Sequence, residues 1–358
     1  MKQVLIKYLS ISLVLLYASF SWAGEQRHSL WTIDDLLLDA PRPYAIGHRG
    51  YGENLGENAD KPIENTIASV RRAFKEGVSI VEVDVSVTAD GKAVAIHDDF
   101  LSDFTCINTL TYDELKQRLP YVPTLAKVLR TAKKFARKSK HLSGLLDIEV
   151  KTPAPLCDID DNTEFKLVTA VIEAIEKTKM QEQVIVEGFS PAIIAMFATE
   201  AAHIKRNLSV NAIQLLSADE VEAVTGLPVT PIDKQAGFGL QWAEIGVLFR
   251  LPGYRSLEEY IGVAYQLGVQ FVTIDKLILF QIEQLQPGGG ALFIQQLHQL
   301  GFSVTAYTVD SESEWLLLAS MGVDGIFTND ISLDVESTVW VKKGHRVKED
   351  RDRHPAIH

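Results

Sequence analysis

Apolar residues recur along the chain at two different periods. Short runs with a period of two, such as Val81, Val83 and Val85, read as strands with one face buried, whereas longer segments such as 66–76, 125–139 and 164–178 carry apolar positions at helical spacing. Strand patterns occur at 44–47, 81–85, 93–97, 145–150, 184–187, 208–215, 270–274, 303–309 and 323–328, most of them separated by a helical pattern. Strand alternating with helix predicts an α/β protein, a (β/α)8 TIM-type barrel whose chemistry gathers where the strands end. That makes nine strand candidates for eight barrel places, and the pattern does not say which is the surplus.

Around the second strand the barrel is expected to be irregular. Between Asp84 and His97 there is no room for a crossover helix, and Asp90-Gly91 is a hairpin-turn signal. The expected path rises through Glu82 and Asp84, returns through 85–89 and rises again through 93–97, bringing His97 back to the level of Asp84. Elsewhere, 31–38 reads as a short helix and 51–62 as a glycine-containing mouth loop whose acids Glu53, Glu57 and Asp60 are solvated. Residues 112–117 read as a helical turn, 158–161 as an acidic loop, and 232–253, with Trp242 and Phe249, as an apolar, glycine-rich connection.

The ends of the chain read differently. Lys2 and Lys7 precede an apolar run over 8–20, and Ser21 and Ala23 place small residues before Gly24; 1–23 is expected to be a secretory signal peptide. The run is too short for a comfortable membrane span, so no stable span is expected after cleavage. Residues 24–335 then form the barrel domain and 336–358 a polar tail, and the expected address is periplasmic or secreted. Removing Lys2 and Lys7 takes the formal net charge from −12 to −14, which argues against nucleic acid as a partner. Export also bears on Cys106 and Cys157, which follow two strand ends at one mouth: an intramolecular disulfide and two free thiols both fit the sequence.

Candidate chemistry lies on the strands. The period of two puts Glu82 and Asp84 together on the face opposite the valines, and Asp147, Glu149 and Lys151 together on another strand. A polar face turned to water gives the same pattern. In a barrel interior, however, adjacent carboxylates repel and call for a proton or a hard divalent cation with oxygen ligands. Glu82, Asp84 and Glu149 are the candidate ligands, and Arg49 and Lys151 the candidate cations for an anionic substrate. His48 and His97, also at strand ends, are the candidate acid and base, since an ordinary imidazole pKa near 6.5 suits both tasks. Glu64 is a further candidate, although a carboxylate at a helix start has a structural reason of its own.

His48-Arg49-Gly50, Glu64-Asn65-Thr66, Glu82-x-Asp84, Thr88-x-Asp90-Gly91, His97-Asp98 and Glu149-x-Lys151 stand in order and rough spacing as in glycerophosphodiester phosphodiesterases. Pro123-Thr124-Leu125, 306–309 and 322–330 continue the agreement, and the chain resembles that family over roughly 44–333. The resemblance implies metal-dependent hydrolysis of a small-molecule glycerophosphodiester to sn-glycerol 3-phosphate and an alcohol. It implies one divalent cation, Ca2+ or Mg2+, and attack by a glycerol hydroxyl to give a cyclic phosphate that water opens. Tyr307 stands where many members have tryptophan, and the segment after His97-Asp98 lacks the common glycine-containing run, so head-group selection is not carried over. Phospholipase-D-like action on lysophospholipids or sphingolipids, and a catalytically inactive secreted binding protein, are the alternatives.

Overall fold

The structure, a computed structural model, describes residues 30–333 apart from 139–140, 159–161, 218, 221–222, 224–228, 235–236 and 243–250. The expected signal peptide, the polar tail and most of the acidic loop lie outside the described residues. Helix α1 (Ile33–Asp39) precedes β1 (Tyr44–Gly47), and α2 (Ile67–Glu76) leads to β2 (Ile80–Val87), which turns back into β3 (Ala93–Ala95). After α3 (Tyr112–Arg118) and α4 (Leu125–Phe135) come β4 (Leu145–Val150), α5 (Thr163–Thr178), β5 (Val184–Gly188), α6 (Pro191–Glu200) and β6 (Lys205–Val210). The described part of the 232–253 connection falls in a small antiparallel sheet of β7 (Val229–Lys234), β8 (Gly237–Trp242) and β9 (Leu251–Gly253), and Phe249 lies outside the described residues. Then follow α7 (Leu257–Gln266), β10 (Phe271–Asp275), α8 (Lys276–Leu285), α9 (Gly289–Gln299), β11 (Ser303–Tyr307), α10 (Glu312–Met321) and β12 (Gly325–Thr328).

Eight of these strands close a parallel barrel in the order β1, β12, β11, β10, β6, β5, β4, β2, with β2 returning to β1. The surplus candidate is 93–97. It pairs antiparallel with the end of β2, Val85 opposite Ala95 and Val87 opposite Ala93, so it descends where a second rise was expected. The reason is that β2 runs on to Val87 and a single tight turn follows, with Gly91 at φ 72° and the Thr88 N–H donating to the Lys92 carbonyl; one reversal makes antiparallel neighbours. His97 still reaches the level of Asp84, because the Ile96 N–H donates to the Asp84 carbonyl at 3.1 Å. The 208–215 expectation is also corrected: the strand ends at Val210, and Asn211 caps a short 3-10 helix over Ala212–Leu215.

The alternation seen in sequence sorts the barrel into two environments. Val81, Val83 and Val85 of β2, Leu146, Ile148 and Val150 of β4 and their counterparts face outward and pack with α2, α4, α5 and α6 into the main apolar core. Inside, Ile46, Ile80, Leu145, Ile185 and Phe271 join Ile33 and Leu36 of α1 in a separate apolar layer at the strand starts, which α1 covers. Each fully buried side chain of this kind contributes roughly 1.5–3 kcal/mol. Above that layer the interior turns polar. No described helix is long and apolar enough to cross a membrane.

Candidate active site

Register brings the acids together. Glu82 stands opposite Asp147 and Asp84 opposite Glu149 across β2 and β4, and Glu149 stands opposite Glu187 across β4 and β5. All of these side chains point into the barrel by the period of two, and oxygens of Glu82, Asp84 and Glu149 lie within 4.8 Å of one another. Oε1 of Glu82 is buried without a hydrogen-bond partner. A buried, unpartnered carboxylate oxygen in a set of three acids suits a hard cation with oxygen ligands, so these residues fit the group expected of them.

Cations frame the triad. Lys151 Nζ is 3.1 Å from Asp84 Oδ1 and 3.8 Å from Glu149 Oε1, and Arg49 Nε is 3.6 Å from Asp84 Oδ2. The Arg49 backbone N–H donates to Glu82 Oε2 at 2.6 Å, and its guanidinium donates to Glu64 Oε1 at 3.0 Å. Charge sorts the protons accordingly. Burial, then the Asp84 and Glu149 charges, push the Glu82 carboxyl well above the ordinary carboxylate range. Burial lifts Asp84 too, but Lys151, His97 and Arg49 outweigh it and hold that carboxyl below its usual value. Burial raises Glu149 against the pull of Lys151. Beside the triad, burial and the Glu82 charge raise Asp147 well above the usual range, and burial with the Asp147 and Glu149 charges does the same to Glu187.

Both histidines border this cluster, and each is held through Nδ1. His48 follows the end of β1 and its Nδ1 lies 2.9 Å from Asn329 Oδ1. The amide orientation is fixed from behind: the Asn329 Nδ2 group donates to Asp310 Oδ2 at 3.0 Å, so Oδ1 is the acceptor turned to His48. Neutral His48 therefore carries its proton on Nδ1 and leaves Nε2 as an acceptor, a tautomer assigned from the hydrogen-bond network. Burial and Arg49 lower the His48 pKa. His97 Nδ1 lies 2.7 Å from Asp98 Oδ1, and that hydrogen bond lowers the Asp98 carboxyl against the opposing effect of burial.

The sequence-derived set thus converges, with one reassignment. Glu64 is not a helix cap. Thr66 caps α2 through Ser69 N–H, while buried Glu64 accepts from Arg49 and from the Asn54 N–H at 3.0 Å. The roles of two side-chain amides are not those their places in the sequence suggest: Asn65, at the helix start, donates to Asp84 Oδ2 at 2.8 Å where a capping amide was expected, and Asn329 orients His48. Glu187 escaped the sequence reading, although Val184 and Val186 alternating with it carried the same signal as β2. Glu53, read as solvated, has Oε1 3.5 Å from Arg49 and 3.8 Å from His48. A disulfide joins Cys106 to Cys157, Cα to Cα 5.5 Å, so the bridge was the right alternative.

A model of the glycerophosphoryl diester phosphodiesterase family matches residues 48–333. A glycerophosphodiester phosphodiesterase of Caldanaerobacter subterraneus subsp. tengcongensis is 29% identical over 178 residues, covering 46% of this chain and 65% of that protein, a little under two thirds of its length. Among solved structures, an Oleispira antarctica phosphodiesterase in complex with the product sn-glycerol-3-phosphate aligns at TM-score 0.55 and 20% identity, covering 83% of this chain and 96% of that one. A Thermotoga maritima glycerophosphodiester phosphodiesterase aligns at TM-score 0.56 and 18% identity, covering 83% and 98%. At these identities the structural likeness speaks for the barrel fold.

Proposed function

The chain belongs to the glycerophosphoryl diester phosphodiesterase family, and we propose that it is an exported, metal-dependent enzyme hydrolysing glycerophosphodiesters to sn-glycerol 3-phosphate and an alcohol. The observation that carries the reading is the meeting of Glu82, Asp84 and Glu149 in one barrel mouth with Arg49 and Lys151 around them and an oriented imidazole on either hand. In this proposal the three carboxylates hold one hard divalent cation, Ca2+ or Mg2+, which when bound supplies positive charge to the non-bridging phosphate oxygens. Arg49 and Lys151 bind the phosphate and share in that stabilisation.

His48, with Nε2 free as an acceptor, is the general base, and His97, partnered by the negative Asp98, is the general acid. The glycerol 2-hydroxyl gives its proton to His48 as its oxygen bonds to phosphorus. The bond from phosphorus to the alcohol oxygen breaks, and that oxygen takes a proton from His97. Water then adds with the roles reversed: His97 takes its proton, the ring phosphorus–oxygen bond opens, and His48 returns a proton to the glycerol oxygen. Export is supported by the Cys106–Cys157 bridge, a bond that persists in oxidising compartments.

The test is release of glycerol 3-phosphate from a panel of glycerophosphodiesters with EDTA, Ca2+ or Mg2+, comparing the wild type with His48→Ala and Glu82→Ala. Loss of turnover in both variants, and reversible loss on chelation, is the expected result. Substantial activity in the Glu82→Ala protein would remove the proposed ligand set.

A further inference from the structure

Beside His97, and lined by none of the three triad carboxylates, lies a cavity of about 520 Å3, within the range of small-molecule sites. Leu55 of the mouth loop and Phe100, Leu101, Leu119, Tyr121 and Val122 of the segment between β3 and α4 supply its apolar wall. The cavity is joined to the phosphate-binding groups through its other lining residues. Glu64 grips Arg49 at 3.0 Å, Asn65 donates to Asp84 at 2.8 Å, and His97 belongs to both the cavity and the site.

Charged residues also line it, but each is already matched. Glu64 is paired with Arg49, Asp98 accepts from His97 at 2.7 Å, and Arg118 is paired with Asp103. Apart from the Ser102 hydroxyl, apolar surface is what remains for a ligand. The segment carrying most of that surface is fixed in place: Cys106 is bonded to Cys157, and the Ala154 N–H donates to Asp99 Oδ2 at 2.7 Å.

Resting on the phosphodiesterase reading, we propose that this cavity holds the departing alcohol and selects one with an apolar chain or ring over a small charged amino alcohol. A general acid must stand next to the oxygen it protonates, so the carbon attached to that oxygen starts at His97 and continues into the cavity. Each methylene removed from water there is worth about fourfold in kcat/KM. A cationic head group would instead surrender hydration to a wall whose ionic groups are occupied.

The experiment uses the full chain with Ca2+ or Mg2+ and three probes: the glycerol phosphodiester of hexanol, that of ethanolamine, and a lysophospholipid of ethanolamine with its acyl chain on the glycerol side. The hexanol ester is expected to exceed the ethanolamine ester at least tenfold in kcat/KM. In a Leu55→Ser, Tyr121→Ser double variant, both at exposed positions, kcat/KM for the hexanol ester is expected to fall about tenfold and that for the ethanolamine ester less than twofold. A preference for the ethanolamine ester or the lysophospholipid, or an equal fall for both glycerol esters in the variant, overturns the cavity assignment alone. No turnover of any probe overturns it together with the phosphodiesterase reading.

Discussion

Asn65 and Asp84 are clasped by two hydrogen bonds, the Asn65 amide donating to Asp84 Oδ2 at 2.8 Å and the Asp84 N–H donating to Asn65 Oδ1 at 3.0 Å. Asn65 holds this position at φ 54°, a left-handed conformation that asparagine tolerates better than most residues. The clasp leaves Asp84 Oδ1 facing Lys151 and the shared space of the triad. Asn65→Ala removes both bonds from buried groups. Divalent-cation affinity, measured by titration calorimetry, is expected to drop about 10- to 100-fold, the usual cost of losing a partner behind a metal ligand. Unchanged affinity would mean that Asp84 needs no such support.

Glu64 separates a positioning role from a ligand role. Its oxygens are committed to Arg49 and to the Asn54 N–H, and it is outside the carboxylate triad. Glu64→Gln is therefore expected to raise KM about tenfold, the equivalent of ~1.4 kcal/mol of phosphate binding, while calorimetric affinity for the cation stays within twofold. A loss of cation affinity equal to that of Glu82→Gln would place Glu64 among the ligands instead.

Protonation of His48 gives a signed expectation. Burial and the Arg49 charge lower its pKa from 6.5, against the pull of Asp84, Asn329 and Glu53. Above pH 6.5 the ring is neutral in folded and unfolded chains alike and contributes no pH dependence. As pH falls below 6.5 the unfolded chain takes up a proton that the folded chain does not, so stability falls through this window down to the folded pKa. The divalent cation of the proposed mechanism would shift the ring the same way. The His48 imidazole resonance followed by NMR is expected to titrate below 6.5, and a midpoint at or above 6.5 would contradict the assignment of a neutral base.

Much of this site is legible in the sequence because period-two alternation reports which face a residue takes. Glu82, Asp84 and Glu149 could be grouped from the valines, leucine and isoleucine between them, and His48 and His97 from the strand ends that they follow. Direction is a different matter. Ala93 to Ala95 has the same pattern rising or falling, and only the extension of β2 to Val87 decides that it falls. Register is likewise absent from pattern: nothing in residues 184–188 says that Glu187 will stand opposite Glu149. The roles of Asn65 and Asn329 could not be read because a side-chain amide at a helix start or in a loop reads as capping or turn chemistry until its distant partner is known.

The bridge between Cys106 and Cys157 closes 51 residues of chain and ties the segment after His97 to the segment after Lys151. Asn108 adds to the join, its Nδ2 donating to the Cys157 carbonyl at 2.5 Å. By loop-closure entropy alone, a double Cys106→Ser, Cys157→Ser variant is expected to lose about 4 kcal/mol in urea unfolding. Since both joined segments continue directly from site residues, His97 and Lys151, its kcat is expected to fall even at temperatures where circular dichroism shows it folded. Full kcat in the folded variant would show that packing alone holds the two segments.

Gly50, third residue of the His48-Arg49-Gly50 run, is required by backbone rather than by chemistry. It lies at φ 94°, its N–H donates to the Glu82 carbonyl at 3.0 Å, and a Cβ there would come within 2.0 Å of Ser69 Oγ and 2.8 Å of Ser69 Cβ. Ser69 cannot simply step aside, because its hydroxyl accepts from the Tyr51 N–H at 2.7 Å and donates to the Arg49 carbonyl at 2.9 Å. Gly50→Ala is thus expected to shift Arg49 and His48 against β2, cutting kcat/KM by two orders of magnitude or more and destabilising the fold by about 1–3 kcal/mol. Gly56, also at positive φ but with nothing within 4 Å of its added Cβ, isolates the conformational part. Gly56→Ala is expected to cost only about 1 kcal/mol and to leave kcat within twofold. Equal effects of the two substitutions on kcat, compared at matched folded fractions, would mean that close packing against Ser69 has no part in placing the histidine and the arginine.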